Sequence, residues 1–168
     1  MNDELFDIVN DRDEVIGQAP RSEVHRRNLL HRAVHVMVVN SSGRVFLQKR
    51  SMKKDSFPGA WDSSASGHLN VGESYDVAAV REMEEEIGLR AAAPLERLFR
   101  IEARQETGFE FVWVYRFRSD GPVLLNRDEI EMGDWFEPAT ISQWMKDQPS
   151  QFASALLHLW PRFVGSLG

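Results

Sequence analysis

At 168 residues, with 42% hydrophobic and 27% charged side chains, the chain has the size and make-up of one globular domain, long enough to bury a core without covalent staples. The formal charge of −6 disfavours a duplex nucleic-acid partner, which calls for a basic stripe, and makes divalent cations the natural go-between for an anionic ligand. Cysteine is absent, which excludes disulfides, thiolate zinc sites and cysteine nucleophiles. The amino end, Met1-Asn2-Asp3-Glu4-Leu5, lacks the basic-then-apolar pattern of a secretion signal, and the longest aliphatic run, residues 36–39, is far too short for a bilayer. The expectation is a cytoplasmic protein with no membrane partner. No repeat, low-complexity tract or linker interrupts the chain, so one domain is expected over residues 1–168.

Along the chain, Leu5, Phe6, Ile8 and Val9 are separated from Val15 and Ile16 by the polar run Asn10-Asp11-Arg12-Asp13, which predicts a small hairpin over about residues 5–16. Residues 21–32 are polar and basic, and a short helix and a loop both stay open there. Residues 33–40 are valine-rich and predict a buried strand, which Ser41-Ser42-Gly43 turns into a second strand at 44–49. Pro58-Gly59 marks 53–61 as a loop; 62–67 reads as a short strand and 69–72 as a loop. Residues 74–87 give the clearest helix, with Ser74 as its cap, Asp76 in its first turn and Gly88 at its end. Further strands are expected at 95–103, 110–118 and 134–136. Helices are expected at 142–147 and 152–164, with Pro161 breaking or kinking the second. Strands dominate the middle and at least two helices pack around them, which is an α+β pattern and not a βαβ alternation. Strand order is not given by the pattern.

The helix at 74–87 carries the chemistry. On a wheel of 100° per residue with Glu82 as origin, Glu85 falls about 60° to one side and Glu86 about 40° to the other, so three carboxylates share a face. Ala78 falls on that face too, leaving it room. Ala79, Val80, Met83 and Ile87 fill the arc turned to the core, while Glu84 points away to solvent. Like charges at these spacings cost roughly 0.2–0.5 kcal/mol per pair, a cost that a divalent cation removes. Oxygen-only ligands of this kind suit magnesium, manganese or calcium better than zinc.

The surroundings of the carboxylates are ordered as well. The chain runs Gly67, five residues, Glu73, seven residues, Arg81-Glu82-Met83, one residue, Glu85-Glu86, one residue, Gly88-Leu89. This resembles the Nudix box, Gly-x5-Glu-x7-Arg-Glu-U-x-Glu-Glu-x-Gly-U with U a bulky aliphatic, at every fixed position; Met83 is a mild departure that fills core space equally well. A chance match to the fixed residues is on the order of one in a million. The resemblance implies a loop-helix-loop box over residues 67–89 on an α/β/α sandwich with a mixed central sheet. It also implies Mg2+-dependent hydrolysis, with Mn2+ as a substitute, of a small-molecule diphosphate, namely a nucleoside diphosphate linked to some moiety X. It makes Glu82, Glu85 and Glu86 metal ligands, one of them doubling as general base, and gives a further ligand to the carbonyl at or near Gly67. Glu73 would pair with Arg81 and fix the loop against the helix. An acid outside the box completes many such sites, and Glu110, Glu129 and Glu131 are the candidates. A homodimer is left open.

A narrower resemblance covers the first half of the chain. His31, His35, Gln48-Lys49-Arg50-Ser51, Lys53-Lys54, Phe57-Pro58-Gly59-Ala60-Trp61 and Ser66-Gly67-His68 are similar to segments of type I isopentenyl-diphosphate isomerases, which share the Nudix fold. In those enzymes a catalytic cysteine precedes the Gly-His pair, and histidines from these segments help bind a metal. Here the cysteine position holds Ser66, a far weaker acid, and the box is complete where theirs tends to be eroded; both departures favour hydrolysis. An isomerase-like enzyme and a non-catalytic ligand-binding domain are the alternatives. His68, beside the box glycine, is the histidine expected to approach the site. His25, His31 and His35 lie on other segments, and His35 reads equally as a packed strand residue. Lys49, Arg50 and Lys54, with Lys53 and His68, are candidates to clamp substrate phosphate, against the alternative of an ordinary solvated loop. The five tryptophans are expected in the core.

Overall fold

The valines of residues 31–39 set the architecture, because they supply two opposite apolar faces on one strand. The computed structural model describes residues 3–167; Met1, Asn2 and Gly168, the ends of the domain expected over 1–168, lie outside the described residues. In chain order its elements are β1 (Leu5–Val9), β2 (Val15–Pro20), α1 (Arg21–Arg27), β3 (His31–Val39), β4 (Val45–Arg50), β5 (Trp61–Asp62), β6 (Ala65–His68), α2 (Tyr75–Ile87), β7 (Glu96–Ile101), β8 (Glu110–Arg118), β9 (Ile130–Phe136), α3 (Pro138–Asp147) and α4 (Ser154–Gly165). Short 3-10 turns occupy Gln105–Thr107 and Pro149–Gln151.

Seven strands form one sheet in the order β5-β4-β3-β8-β7, with β6 also pairing β3 and β9 also pairing β4. The pairing of β3 with β8 is parallel and the others are antiparallel, so the sheet is mixed. Val34, Val36 and Val38 pack with Ala78, Ala79, Met83 and Ile87 of α2. Ala33, Met37 and Val39 pack on the other side with Ile141 and Met145 of α3 and Leu156, Leu159, Trp160 and Phe163 of α4. Helices therefore cover both faces, and the α/β/α sandwich with a mixed central sheet is the observed fold. Among the described residues no helix is long and apolar enough to cross a membrane.

Several boundaries differ from the sequence reading, each for a physical reason. Strand β9 begins at Ile130, well before the expected 134, because exposed Glu131 and Met132 and the following Gly133 hide its pattern. Gly133 is itself a packing requirement: a Cβ there would overlap the Phe46 ring of the paired strand β4. The strand expected at 62–67 divides between two partners, β5 on β4 and β6 on β3, with buried Ser63 and Ser64 between them. Helix α3 starts at Pro138, whose fixed φ and missing N–H suit a first turn. Helix α4 does not break at Pro161. That residue faces solvent, where water can satisfy the freed carbonyl, while Leu156, Leu159, Trp160 and Phe163 hold the opposite face. Ala78, placed by the wheel on the carboxylate face, is fully buried in the core between α2 and the sheet, as Glu86 on that face is also buried.

Strands β1 and β2 form a separate two-stranded sheet, closed by the turn after Asn10, whose side-chain oxygen accepts the N–H groups of Arg12 and Glu14. Phe6 and Ala19 of this hairpin form a small core with Val24 of α1, so residues 21–32 resolve into a helix followed by the entry to β3. Asp7 accepts the Gly72 N–H (2.9 Å). Asp13, 8% exposed and at φ +60°, accepts from Arg32 Nε (2.7 Å) and the Tyr75 hydroxyl (2.8 Å). The hairpin is thereby tied to the first turn of α2. Asp13→Ala is expected to cost about 2–4 kcal/mol in urea denaturation, because it strands the buried Tyr75 hydroxyl, takes a carboxylate from the half-buried Arg32 and leaves a Cβ at positive φ without its anchor. Asp13→Asn, which tolerates that backbone and can still accept the Tyr75 proton, should cost clearly less; equal costs would contradict this account.

Candidate active site

Helix α2 is placed by its ends and its apolar arc. Ser74 Oγ accepts the Val77 N–H at the start, and Gly88 ends it at φ +69°. Burying Ala78, Ala79, Met83 and Ile87 turns Glu82 and Glu86 over β6. A Cβ at residue 67 would overlap the Glu82 carboxylate, so glycine there lets that carboxylate lie directly over the strand. Glu86 is buried and accepts the Ser66 N–H (2.7 Å) and Gln48 Nε2 (3.2 Å), while the same Gln48 nitrogen also donates to the Ser64 carbonyl (3.2 Å). Glu85 is the outermost of the three, with 56% of its side chain exposed. Glu84 is exposed and pairs with Arg90.

Arg81 organises this surface. Its Nε and one NH2 group form a two-pronged pair with Glu73 (2.8 Å each), and that NH2 group also donates to the His68 carbonyl (3.0 Å). Its other terminal nitrogen reaches Glu82 (2.8 Å) and Glu85 (3.1 Å). Burial alone would raise the Glu73 carboxyl, but Arg81 and the Asn70 N–H outweigh it and hold Glu73 below its ordinary value. The deeper carboxylates go the other way. Burial, with the charge of Glu82 adding to it, pushes Glu86 up to about 8. Burial pushes Glu82 up to about 7 against the pull of Arg81, with Glu85 and Glu129 adding repulsion. An all-oxygen donor set, a glycine cradle and carboxyls whose ionised form a further cation would stabilise together fit magnesium or manganese.

These groups lie in a cleft of about 1130 Å³, which Arg50, Lys54, His68, Gly67, Arg81, Glu82, Glu85 and Glu86 all line. Two of the cations expected to clamp phosphate are already engaged there: Arg50 with Asp62 (3.2 Å) and with the Ser56 carbonyl, and Lys54 with Glu129. Lys49 is not among the lining residues; it reaches toward Glu131 (3.6 Å), because alternation along β4 turns it away from Arg50. None of the five tryptophans lines the cleft, and all pack in or against the two main cores. His35 is buried beneath it, with Nδ1 on Ser63 Oγ (2.7 Å), and burial lowers its pKa.

The structure also gathers what the sequence left scattered. The parallel register sets His31 opposite Glu110, and the β6 register sets His68 opposite Ala33. Helix α1 adds His25, so that one ligand nitrogen from each of His25, His31 and His68 lies within 4.8 Å of the others. His68 Nε2 meets Glu110 Oε1 at 2.7 Å, and His31 Nε2 lies 3.3 Å from the same oxygen without a hydrogen-bonding geometry, a buried nitrogen with no partner. Burial would raise Glu110, yet the two imidazoles hold it well below the carboxylate range. This cluster is a second candidate metal centre, richer in nitrogen than the first. It takes up Glu110, whereas Glu129 is the outer acid whose charge reaches Glu82, and Glu131 lies outside the cleft. The place of Gln48 beside Glu86 was missed by sequence reasoning, which named the residue only within the segment 48–51; a local signal was an amide ending the apolar run Val45-Phe46-Leu47 of a buried strand.

A family model described as the NUDIX domain matches residues 29–156. A Deinococcus radiodurans protein named Nudix hydrolase is 37% identical over 139 residues, 82% of this chain and 81% of that protein. A Burkholderia multivorans protein named isopentenyl-diphosphate Delta-isomerase is 32% identical over 154 residues, 89% of this chain and 87% of its own length. A crystal structure of a Deinococcus radiodurans protein superposes with a TM-score of 0.84 at 31% identity, covering 95% of this chain and 98% of that one.

The raised carboxyls carry a stability consequence. Without metal, the folded state keeps protons on Glu82 and Glu86 that the unfolded chain releases near its ordinary value of 4.5, so stability falls as pH rises from about 4.5 to about 8. Metal binding favours the deprotonated pair and offsets this loss. Mg2+ or Mn2+ is therefore expected to raise Tm more at about pH 8 than at about pH 5.5, read by scanning calorimetry. Equal shifts at the two pH values would place the metal elsewhere.

Proposed function

The chain belongs to the Nudix family, and on that premise we propose that it is a divalent-metal-dependent hydrolase that cleaves a diphosphate linkage in a small molecule, a nucleoside diphosphate derivative. The observation that carries this reading is the pair of buried Glu86 and half-buried Glu82, brought over Gly67 with only the edge of Arg81 bonded to Glu82 and the charge of Lys54 reaching Glu86. Glu82, Glu85, Glu86 and the carbonyl at or near Gly67 are the groups that would hold magnesium or manganese, with Glu129 as the acid from outside the box. When bound, the metal supplies Lewis acidity toward phosphate oxygens and lowers the pKa of water. The chain's own residues do the rest. Ser66 N–H and Gln48 fix the Glu86 carboxylate in one orientation, Arg81 and Glu73 hold the loop against α2, and Glu85 stands nearest solvent. Lys54 and Arg50 line the same cleft, where substrate phosphate can compete with Glu129 and Asp62 for them.

Glu86→Gln and Glu82→Gln are each expected to lower turnover by about a thousandfold. Glu84→Gln should stay within about twofold of the parent, in keeping with a solvated surface group. The assay is mass-resolved product release with Mg2+ or Mn2+ from nucleoside di- and triphosphates, dinucleotides, nucleotide sugars and isoprenyl diphosphates. Unchanged turnover in both Glu82→Gln and Glu86→Gln would overturn the reading.

The cluster of His25, His31, His68 and Glu110 supports a second reading, an isomerase-like proton transfer on isopentenyl diphosphate. Ser66 weighs against it, since a hydroxyl releases a proton far less readily than a thiol. The expected result with isopentenyl diphosphate is no dimethylallyl isomer. Formation of that isomer without phosphate loss, abolished by His31→Ala together with one equivalent of bound Mn2+ or Zn2+, would reverse the preference between the two readings.

A further inference from the structure

Two phenylalanines line the cleft in a backbone conformation that disfavours them. Phe57, in the loop between β4 and β5, has φ +47°, and Phe109, in the turn before β8, has φ +63°. A bulky side chain at positive φ is an outlier, and Pro58 biases its predecessor the other way. Both loops are pinned from several sides. The Ala60 N–H donates to the Phe57 carbonyl (3.1 Å), Arg50 Nε donates to the Ser56 carbonyl (3.0 Å), and Arg21 grips Asp55 through two bonds (2.8 and 3.1 Å). The Phe109 N–H donates to the Arg104 carbonyl (2.8 Å), and its own carbonyl accepts the His31 N–H (3.2 Å).

Packing does not account for the two rings. Neither belongs to any of the three apolar clusters of the described residues, and Phe57 is 49% exposed. At other positive-φ positions the chain uses residues that tolerate the conformation, as at Asn28, Gly59 and Gly108. The cleft they share is also lined by the charged side chains of Arg21, Lys53, Asp55 and Asp128. Strain that surrounding structure maintains at a cleft points to use there.

We infer that Phe57 and Phe109 form the contact surface for the organic arm of the substrate, and that this arm presents a flat or unsaturated apolar face, as a nucleobase or a prenyl chain does. The inference rests on the diphosphate reading above: the diphosphate goes to the carboxylates and the arm to the rings. A phenyl face stacks on a base and packs equally against a prenyl chain.

The test is calorimetric binding with Mg2+ to three uncleavable probes: α,β-methylene-ADP, the methylene analogue of geranyl diphosphate, and methylenediphosphonate, which has no arm. Phe57→Asn and Phe109→Asn relieve the backbone and remove the ring. Each is expected to weaken at least one arm-bearing probe about tenfold, to leave methylenediphosphonate unchanged, and to keep or raise Tm. Phe57→Leu and Phe109→Leu separate the two sources. A base loses its stacking partner and binds about tenfold more weakly, whereas a prenyl chain keeps its apolar wall and binds as before. Arm-bearing probes that bind the Asn variants as tightly as the parent would overturn the inference. Parallel weakening of all three probes with a lowered Tm would do the same, by showing a structural role. A parent protein that fails to bind methylenediphosphonate with Mg2+ would overturn the diphosphate reading itself, and this inference with it.

Discussion

Helix α2 lies so close to β6 that the Glu82 carboxylate occupies the space a side chain at residue 67 would need. Glycine on the strand leaves room for that carboxylate, and alanine at 78 and 79 on the helix, with small buried side chains, lets the two backbones draw together. Once they have, the rest of the site is constrained. Glu86, one turn beyond Glu82, reaches the Ser66 N–H and Gln48, and Arg81 reaches Glu73 and the His68 carbonyl. The hairpin then fixes the far end, where Asp7 holds the Gly72 N–H and Asp13 holds the Tyr75 hydroxyl. Packing and chemistry thus share the same few contacts.

The electrostatics follow from that closeness. Carboxylates drawn out of water and toward each other rise in pKa, and Arg81 cannot neutralise them all because it is shared among Glu73, Glu82 and Glu85. A chain of net charge −6 with further acids around the cleft would repel an anionic substrate without help. A divalent cation would resolve both problems, since it would stabilise the ionised carboxylates and offer phosphate a positive partner. Arg50 and Lys54, already paired, are better placed to exchange partners than to attract an anion from afar.

Strand β6 serves two centres with consecutive residues. Gly67 faces the carboxylates of α2, and His68 joins His25, His31 and Glu110 on the other side. Phe6 of the hairpin stacks on His31, at 10° between ring planes, and that imidazole is buried, while His25 and His68 are partly exposed along the cleft. The oxygen-rich and nitrogen-rich groupings suit different ions, so the cleft is chemically asymmetric along its length.

Much of the oxygen-rich centre was legible in the sequence, because its residues sit on one helix and the loop before it. Helical periodicity is local, and 100° per residue separates Glu82, Glu85 and Glu86 from Glu84 without any knowledge of the fold. What periodicity could not give was depth: it treated the three carboxylates alike, whereas Glu86 is buried and Glu85 open. The strong strands β3 and β8 were readable from their apolar runs, while of β9 only the end, 134–136, was, since the glycine and exposed side chains of its first half make sense only against Phe46 of β4. The imidazole cluster, the burial of Gln48 beside Glu86 and the placing of Phe57 and Phe109 on one cleft were decided by tertiary structure alone. They join residues far apart in the chain, and only strand register, such as His31 opposite Glu110 and Ala33 opposite His68, converts that separation into contact.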